Sequence, residues 1–231
     1  MHLRYLALAV PFAVAACAEG PIQQAPVRLA ARAAPETVDV ARGEIVIAGP
    51  DGYCIDKRGS RLRGAAPFAL LASCASVSGD EQAASPAFPA LLTVSVDQKT
   101  GESINPSDLL PILISEDGRA ALARDGNASS VTILEAIEAN GAALLRLDDQ
   151  SVDPTPELES VYWRGLFTLN GRLITTTVVG FDNRPLENAN GLNQLVAFVN
   201  AIQKASPIML ETPAPSATPL PRSGLFRTLF R

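Results

Sequence analysis

Histidine is all but missing: the 231-residue chain contains one, His2. His2 falls in residues 1–16, which read as a cleaved signal peptide, and a mature chain without histidine cannot build Ser-His-Asp or Cys-His machinery, which needs a base titrating near neutrality, nor histidine-ligated zinc. Lysine is scarce as well. Lys57, Lys99 and Lys204 stand against sixteen arginines, and none follows the Ser-x-x-Lys spacing of a serine–lysine hydrolase. No Gly-x-x-x-x-Gly-Lys-Ser/Thr loop is present to cradle phosphates. Acidic residues outnumber basic ones, 24 to 19, which argues against a nucleic-acid partner, since phosphate binding is driven by an excess of clustered Lys and Arg. No apolar run reaches the about 20 residues that span a bilayer. These absences predict a non-enzymatic chain with no catalytic residue, no cofactor and no metal ligand.

What is present begins at the N-terminus. Arg4 precedes an apolar run over residues 5–16 that ends Val14-Ala15-Ala16-Cys17. The run has the length of a signal-peptide apolar region, with small residues before the cut. Those four residues resemble the lipobox of bacterial lipoproteins. The resemblance implies that residues 1–16 are a signal peptide, that Cys17 is acylated, and that the membrane is a partner through the lipid. Several acyl chains, at about 0.8 kcal/mol per buried CH₂, hold where one would not. Ala18 rather than Asp after the cysteine favours, by the sorting rule of that class, the periplasmic side of the outer membrane. The competing reading is an ordinary secretory signal whose cut lies near a cysteine. Loss of residues 1–16 would leave 18 basic against 24 acidic residues, a net charge of −6. In an oxidising compartment Cys54 and Cys74 are expected to form a disulfide, the alternative being two buried free thiols.

Residues 17–37, rich in Ala, Pro and Gln, read as a flexible lipid-anchored tether. A single domain is expected over residues 38–206. Ile45-Val46-Ile47 reads as a strand stopped by Gly49-Pro50-Asp51-Gly52, with Tyr53 to Asp56 extended and Lys57 to Gly64 a basic loop. Phe68 to Cys74 and Ala90 to Val96 read as strands, with loop between Gly79 and Pro89. Asn105-Pro106 predicts a helix start, and Ser115-Glu116-Asp117 caps a second helix from Gly118 to Arg124. Residues 131–148 admit a helix or a hairpin turning at Asn140-Gly141. The hairpin is preferred because it sets Glu135 opposite Arg146 and Ile137 opposite Leu144. Asn170-Gly171 marks a second hairpin, pairing Phe167 with Ile174, Trp163 with Val178 and Arg164 with Thr177. Leu192, Leu195, Val196, Val199 and Ile202 form a helical stripe capped by Asn190 and facing the Trp163 side of the sheet.

The predicted class is α+β: an antiparallel sheet built from hairpins with helices packed on it. The Gly-Pro-Asp-Gly-Tyr turn at 49–53 and the Tyr162-Trp163-Arg164 hairpin followed by a helix resemble the PsbP-type α/β sandwich over residues 44–205. The stretch Gly52-Tyr53-Cys54-Ile55-Asp56, with Phe68 to Cys74, is also similar to envelope lipoproteins of alphaproteobacteria. Neither resemblance carries a catalytic residue across. The function expected is a binding or accessory module of the cell envelope. The alternative is a small-ligand carrier or a histidine-independent hydrolase acting on an anionic envelope substrate through carboxylates or the cluster of Arg58, Arg61 and Arg63.

Two motifs imitate chemistry. Asp97-Gln98-Lys99-Thr100-Gly101 and Thr100-Gly101-Glu102-Ser103 resemble phosphorylation and dephosphorylation motifs of P-type ATPases, but they overlap in one loop and are read as a strand-to-helix connection. Asp148, Asp149, Asp153, Glu157 and Glu159 lack calcium-loop spacing and read as a solvated acidic loop. Beyond a Pro-rich linker, 207–221, residues 222–231 form a basic amphipathic tail. On a helical wheel Leu225, Phe226, Leu229 and Phe230 share a side opposite Arg227 and Arg231. Such a segment suits an anionic membrane surface or a groove in an envelope protein partner.

Overall fold

Turn chemistry fixes the course of the chain in the computed structural model, which describes residues 34–101, 103–151 and 157–209. Cys17, the residues of the tail and most of both linkers lie outside these. In chain order the elements are β1 (Thr37–Val40), β2 (Ile45–Ala48), β3 (Tyr53–Arg61), β4 (Phe68–Ser73), α1 (Cys74–Ser78) and β5 (Leu91–Val96). Then come α2 (Pro106–Ile114), α3 (Glu116–Leu122), β6 (Val131–Ala139), β7 (Ala142–Asp149), β8 (Leu158–Leu169), β9 (Arg172–Phe181) and α4 (Asn188–Ala205). Both Asn-Gly pairs turn as expected. Asn140 and Asn170 have φ 52°, and Gly141 and Gly171 φ 70°, the left-handed pair that a two-residue hairpin loop requires. The predicted registers hold: Glu135 faces Arg146 and Ile137 faces Leu144, while Phe167, Trp163 and Arg164 face Ile174, Val178 and Thr177.

Seven strands form one sheet in the order β3-β4-β5-β9-β8-β7-β6, and β1 and β2 form a small separate one. Every pairing is antiparallel, so the α+β class with helices on an antiparallel sheet is established. Several local expectations need correction. The basic loop at Lys57 does not start there, because β3 runs on to Arg61 through an irregularity after Asp56. The Ser60 hydroxyl donates to the Asp56 carbonyl at 2.6 Å and accepts from Leu70 N–H at 2.9 Å, which keeps the bulged chain against β4. β4 stops at Ser73, whose side chain accepts from Ser76 N–H and caps α1 at Cys74. α3 begins at Glu116, its cap Ser115 accepting from Gly118 N–H at 3.1 Å. Asn190 does not cap α4; the helix starts two residues earlier, after Glu187.

Order also extends past the expected ends of the domain. Ile55 N–H donates to Pro35 and Gly49 N–H to Glu36, so residues 35–37 belong to the fold and not to a tether. At the other end Asn170 Nδ2 donates to Pro207 O at 3.0 Å, and its Oδ1 accepts from Met209 N–H.

The two faces of the sheet are covered unequally. On one, α4 lays Leu195, Phe198, Val199 and Ile202 over Trp163, Phe167, Ile174 and Val178, and β1–β2 add Val40, Ile45 and Ile47. That core reaches every strand from β3 to β7, including Tyr53, Leu71 and Leu92. On the other face α2 and α3 bury Leu109, Leu113 and Leu122 against Val131, Leu145, Leu147, Tyr162 and Leu166. This second core takes no buried residue from β3, β4 or β5. Half of that face therefore stays uncovered, and the polar chemistry collects there.

Candidate functional site

Period-two alternation decides what lines the open half-face. In β5 the buried residues Leu92, Val94 and Val96 point to the α4 side, leaving Thr93, Ser95 and, one step on, Asp97 on the other. Ser95 pairs with Thr175 and Thr93 with Thr177, and Thr177 pairs with Arg164 on β8. These residues, with Arg61 from β3, Phe68 from β4 and Leu122 from the end of α3, line a cleft of about 320 Å³. That is the lower end of the size of small-molecule sites. Two rows of hydroxyls form its floor, with a carboxyl at one end and a guanidinium at the other.

The guanidinium is held from behind. Arg164 Nη1 donates to the Leu122 carbonyl at 3.3 Å and Nη2 to the Tyr162 hydroxyl at 3.1 Å. The first bond satisfies a last-turn carbonyl of α3 that has no partner within the helix. The guanidinium carbon lies 5.3 Å from the Tyr162 ring centroid, a cation–π distance. Tyr162 in turn donates to Asp149 Oδ2 at 3.1 Å. Burial pushes the Tyr162 phenol above its ordinary pKa, so the hydroxyl keeps the proton it gives to Asp149. Asp149 also accepts from Ser151 N–H at 3.0 Å and from Ser151 Oγ at 2.5 Å, with Arg124 Nε 3.6 Å away.

Asp149 is thus not part of a solvated acidic loop. Its side chain is 1 % exposed, and a carboxylate is buried only with partners of this kind. Glu159 is likewise engaged, accepting from Leu186 N–H at 2.9 Å; Asp153 lies outside the described residues.

Charge in the cleft is unbalanced at both ends. Among the described residues the ion pairs are Glu44–Lys99, Asp149–Arg124, Glu135–Arg146 and Glu44–Arg172. None of the charged residues lining the cleft, Arg61, Asp97 and Arg164, belongs to one. Only two of the five N–H groups of Arg164 are engaged, and its Nε is buried without an acceptor. Among the described residues no donor reaches the Asp97 carboxyl, and burial raises its pKa to about 6. A folded-state pKa above the ordinary one means that ionisation opposes folding, and that this cost grows as pH rises through about 6. Asp97→Asn should therefore stabilise the protein by about 1 kcal/mol near pH 8, a figure reduced for solvent screening in an open cleft. Thermal unfolding at about pH 4, where the wild-type carboxyl is protonated in the folded state, should show no such gain. A lower melting temperature for Asp97→Asn at the higher pH would show that the carboxylate serves the fold.

The arginine triplet at 58–63 does not act as one cluster. Arg61 lines this cleft, Arg63 lines a second hollow, and Arg58 lines neither. That second hollow is larger, about 830 Å³, and also includes Arg42, Glu44, Lys99 and Arg172. Two of its cations share one carboxylate. Arg172 Nε donates to Glu44 Oε2 at 2.9 Å and Nη1 to the Asp97 carbonyl at 3.0 Å, while Lys99 Nζ lies 3.5 Å from Glu44 Oε1. The bond from Arg172 holds the Glu44 carboxyl below its usual pKa. Arg42 and Arg63 join no ion pair among the described residues, so this hollow is basic on balance; the smaller cleft sets a carboxyl without a donor and guanidinium groups around a hydroxyl floor, and is the better candidate.

The cysteines predicted to pair do so: Cys54 on β3 and Cys74 at the start of α1 form a disulfide across 20 residues. Among the described residues no group of three or more His, Cys, Asp and Glu is placed to hold a metal ion. No helix among them is long and apolar enough to cross a membrane. Cys17, Leu225, Phe226, Arg227, Leu229, Phe230 and Arg231 lie outside the described residues, as does Glu102 of the ATPase-like motif. The chain matches no protein-family model, no curated protein and no solved structure.

Proposed function

We propose that this is a non-enzymatic, lipid-anchored binding protein of the cell envelope, with the open-face cleft as its binding site. The observation that carries this reading is the pair of unmatched charges in one cleft, Arg164 without a carboxylate and Asp97 without a donor. Clefts with such groups are where ligands bind. Arg164, Asp97 and four hydroxyls supply recognition. Nucleophilic catalysis would need a base hydrogen-bonded to its nucleophile, and among the described residues no hydroxyl of the cleft donates to Asp97. The small-ligand carrier is thus favoured over the hydrolase.

The anchor rests on Arg4, the apolar run and Val14-Ala15-Ala16-Cys17. It would tether the cleft on the periplasmic side of the outer membrane, and the tail, residues 222–231, would add a contact with the membrane surface or an envelope protein. The antiparallel sheet with helices on both faces supports a sandwich of the PsbP type.

The test is mass spectrometry of the protein from its own envelope. The N-terminal peptide should begin at an acylated Cys17. Small molecules released on denaturation should accompany the wild type and be lost from Arg164→Met. An unmodified N-terminus refutes the anchor, and identical released material from both proteins refutes the cleft as the site.

A further inference from the structure

The cleft has an axis, and the axis limits what fits. Asp97 and Arg164 are separated by two strand spacings, because β9 lies between β5 and β8. They are also offset by four residues along the strands, since Thr93 is the β5 residue in the row of Thr177 and Arg164. At about 4.8 Å per strand and 3.3 Å per residue, their Cα atoms are on the order of 16 Å apart. Between them lie the neutral hydroxyls of Thr93, Ser95, Thr175 and Thr177, while the second guanidinium of the cleft, Arg61, enters from the β3 edge in the row of Phe68 and Ser95, its Nη2 donating to the Ala66 carbonyl at 3.5 Å. An inorganic anion would satisfy the guanidinium and leave the carboxyl bare. A simple cation would do the reverse.

We infer that the cleft takes a short zwitterionic peptide in extended form, its carboxylate on Arg164, its ammonium toward Asp97 and its amide groups over the hydroxyl rows. At about 3.5 Å per residue, three or four residues cover the distance once the two side chains reach inward. Serine and threonine hydroxyls both donate and accept, as a peptide backbone requires of a neutral floor. Leu122, Leu166 and Phe68 supply apolar contact at the margins. Arg164 is pre-set for the carboxylate because Leu122 and Tyr162 already fix its plane, and a guanidinium fork matches a carboxylate in two parallel bonds. This inference rests on the proposed binding role and narrows it to one class of ligand.

Isothermal titration of the full-length protein in detergent with trialanine and tetraalanine tests it, alongside the N-acetylated and C-amidated forms of each. Free peptides should bind, and blocking either end should weaken binding by at least about tenfold, the effect of losing one charge-assisted hydrogen bond. In Asp97→Asn, acetylated and free peptides should bind alike. In Arg164→Met, amidated and free peptides should bind alike; Arg164→Lys, which keeps the charge but not the fork, should retain part of the preference. Equal affinity of blocked and free peptides for the wild type overturns the inference, because neither terminal charge is then read; a loss on amidation but not on acetylation overturns it in favour of a site for an anion alone. No peptide binding, with the envelope's own small molecules still lost on Arg164→Met, overturns the peptide and leaves the binding role standing. Absence of both overturns both.

Discussion

Asp149→Ala should cost about 3 kcal/mol of folding stability, because it removes a buried carboxylate and strands the donors that converge on it. Three donors converge on this carboxylate: the Tyr162 hydroxyl, Ser151 N–H and Ser151 Oγ. Truncation leaves the Ser151 N–H and the Tyr162 hydroxyl proton without an acceptor in a region closed to solvent, and Arg124 loses its counter-charge. The effect should extend into the cleft. With Tyr162 no longer fixed from behind, its hydroxyl stops setting the position of Arg164 Nη2. Denaturant titration reads the first effect, and a nuclear magnetic resonance spectrum of the arginine side chains reads the second as a broadened or shifted Arg164 signal. Tyr162→Phe separates the two, since it keeps the aromatic packing and removes only the bridge. A loss under about 1 kcal/mol for Asp149→Ala would place the carboxylate in contact with water, where such bonds contribute little.

Replacing both Cys54 and Cys74 by Ala should cost a similar amount, about 3 kcal/mol for a loop of this length in the chain-entropy model. β3 is an edge strand, paired only with β4. The disulfide ties it to the start of α1, directly after the strand it pairs with. Tyr53, next to Cys54, secures the same edge from the other face. Its hydroxyl lies 3.0 Å from the Phe88 carbonyl and 3.1 Å from Gln194 Oε1, and accepts from Ala90 N–H. Burial raises this phenol to about 12. The double variant should keep its far-ultraviolet spectrum and unfold at lower denaturant. Alkylation of the unfolded wild type before reduction should label neither cysteine, and labelling of both would contradict the bond.

The hairpins were readable from sequence because a two-residue Asn-Gly turn leaves no freedom of register. Once the turn is placed, period-two alternation sends Trp163 and Phe167 to one face and Arg164 to the other. Turn and cap chemistry likewise placed the starts of α2 and α3 to within a residue or two. What could not be read depends on contacts between distant segments. The extension of β3 to Arg61 needs the Ser60 hydroxyl bridging to Leu70. The burial of Asp149 needs Ser151 and Tyr162 arranged around it; in sequence it is one acid among several. The cleft exists because the core under α2 and α3 takes its buried strand residues from β6, β7, β8 and the two ends of β9 and none from β3, β4 or β5, and nothing in the helices' own residues states which strands they will reach. Asp97 drew notice only as part of an imitation of a phosphorylation motif. Its significance is that it ends an alternating row of hydroxyls on an uncovered face.

The most direct test of the binding role is amide chemical-shift mapping of the labelled protein against the soluble low-mass fraction of the envelope. Signals from Thr93, Ser95, Asp97, Arg164, Thr175 and Thr177 should move, while those of α4 and of the hollow around Arg42 and Arg172 should stay. Shifts confined to that second hollow, or none anywhere, would contradict the assignment of the cleft as the binding site.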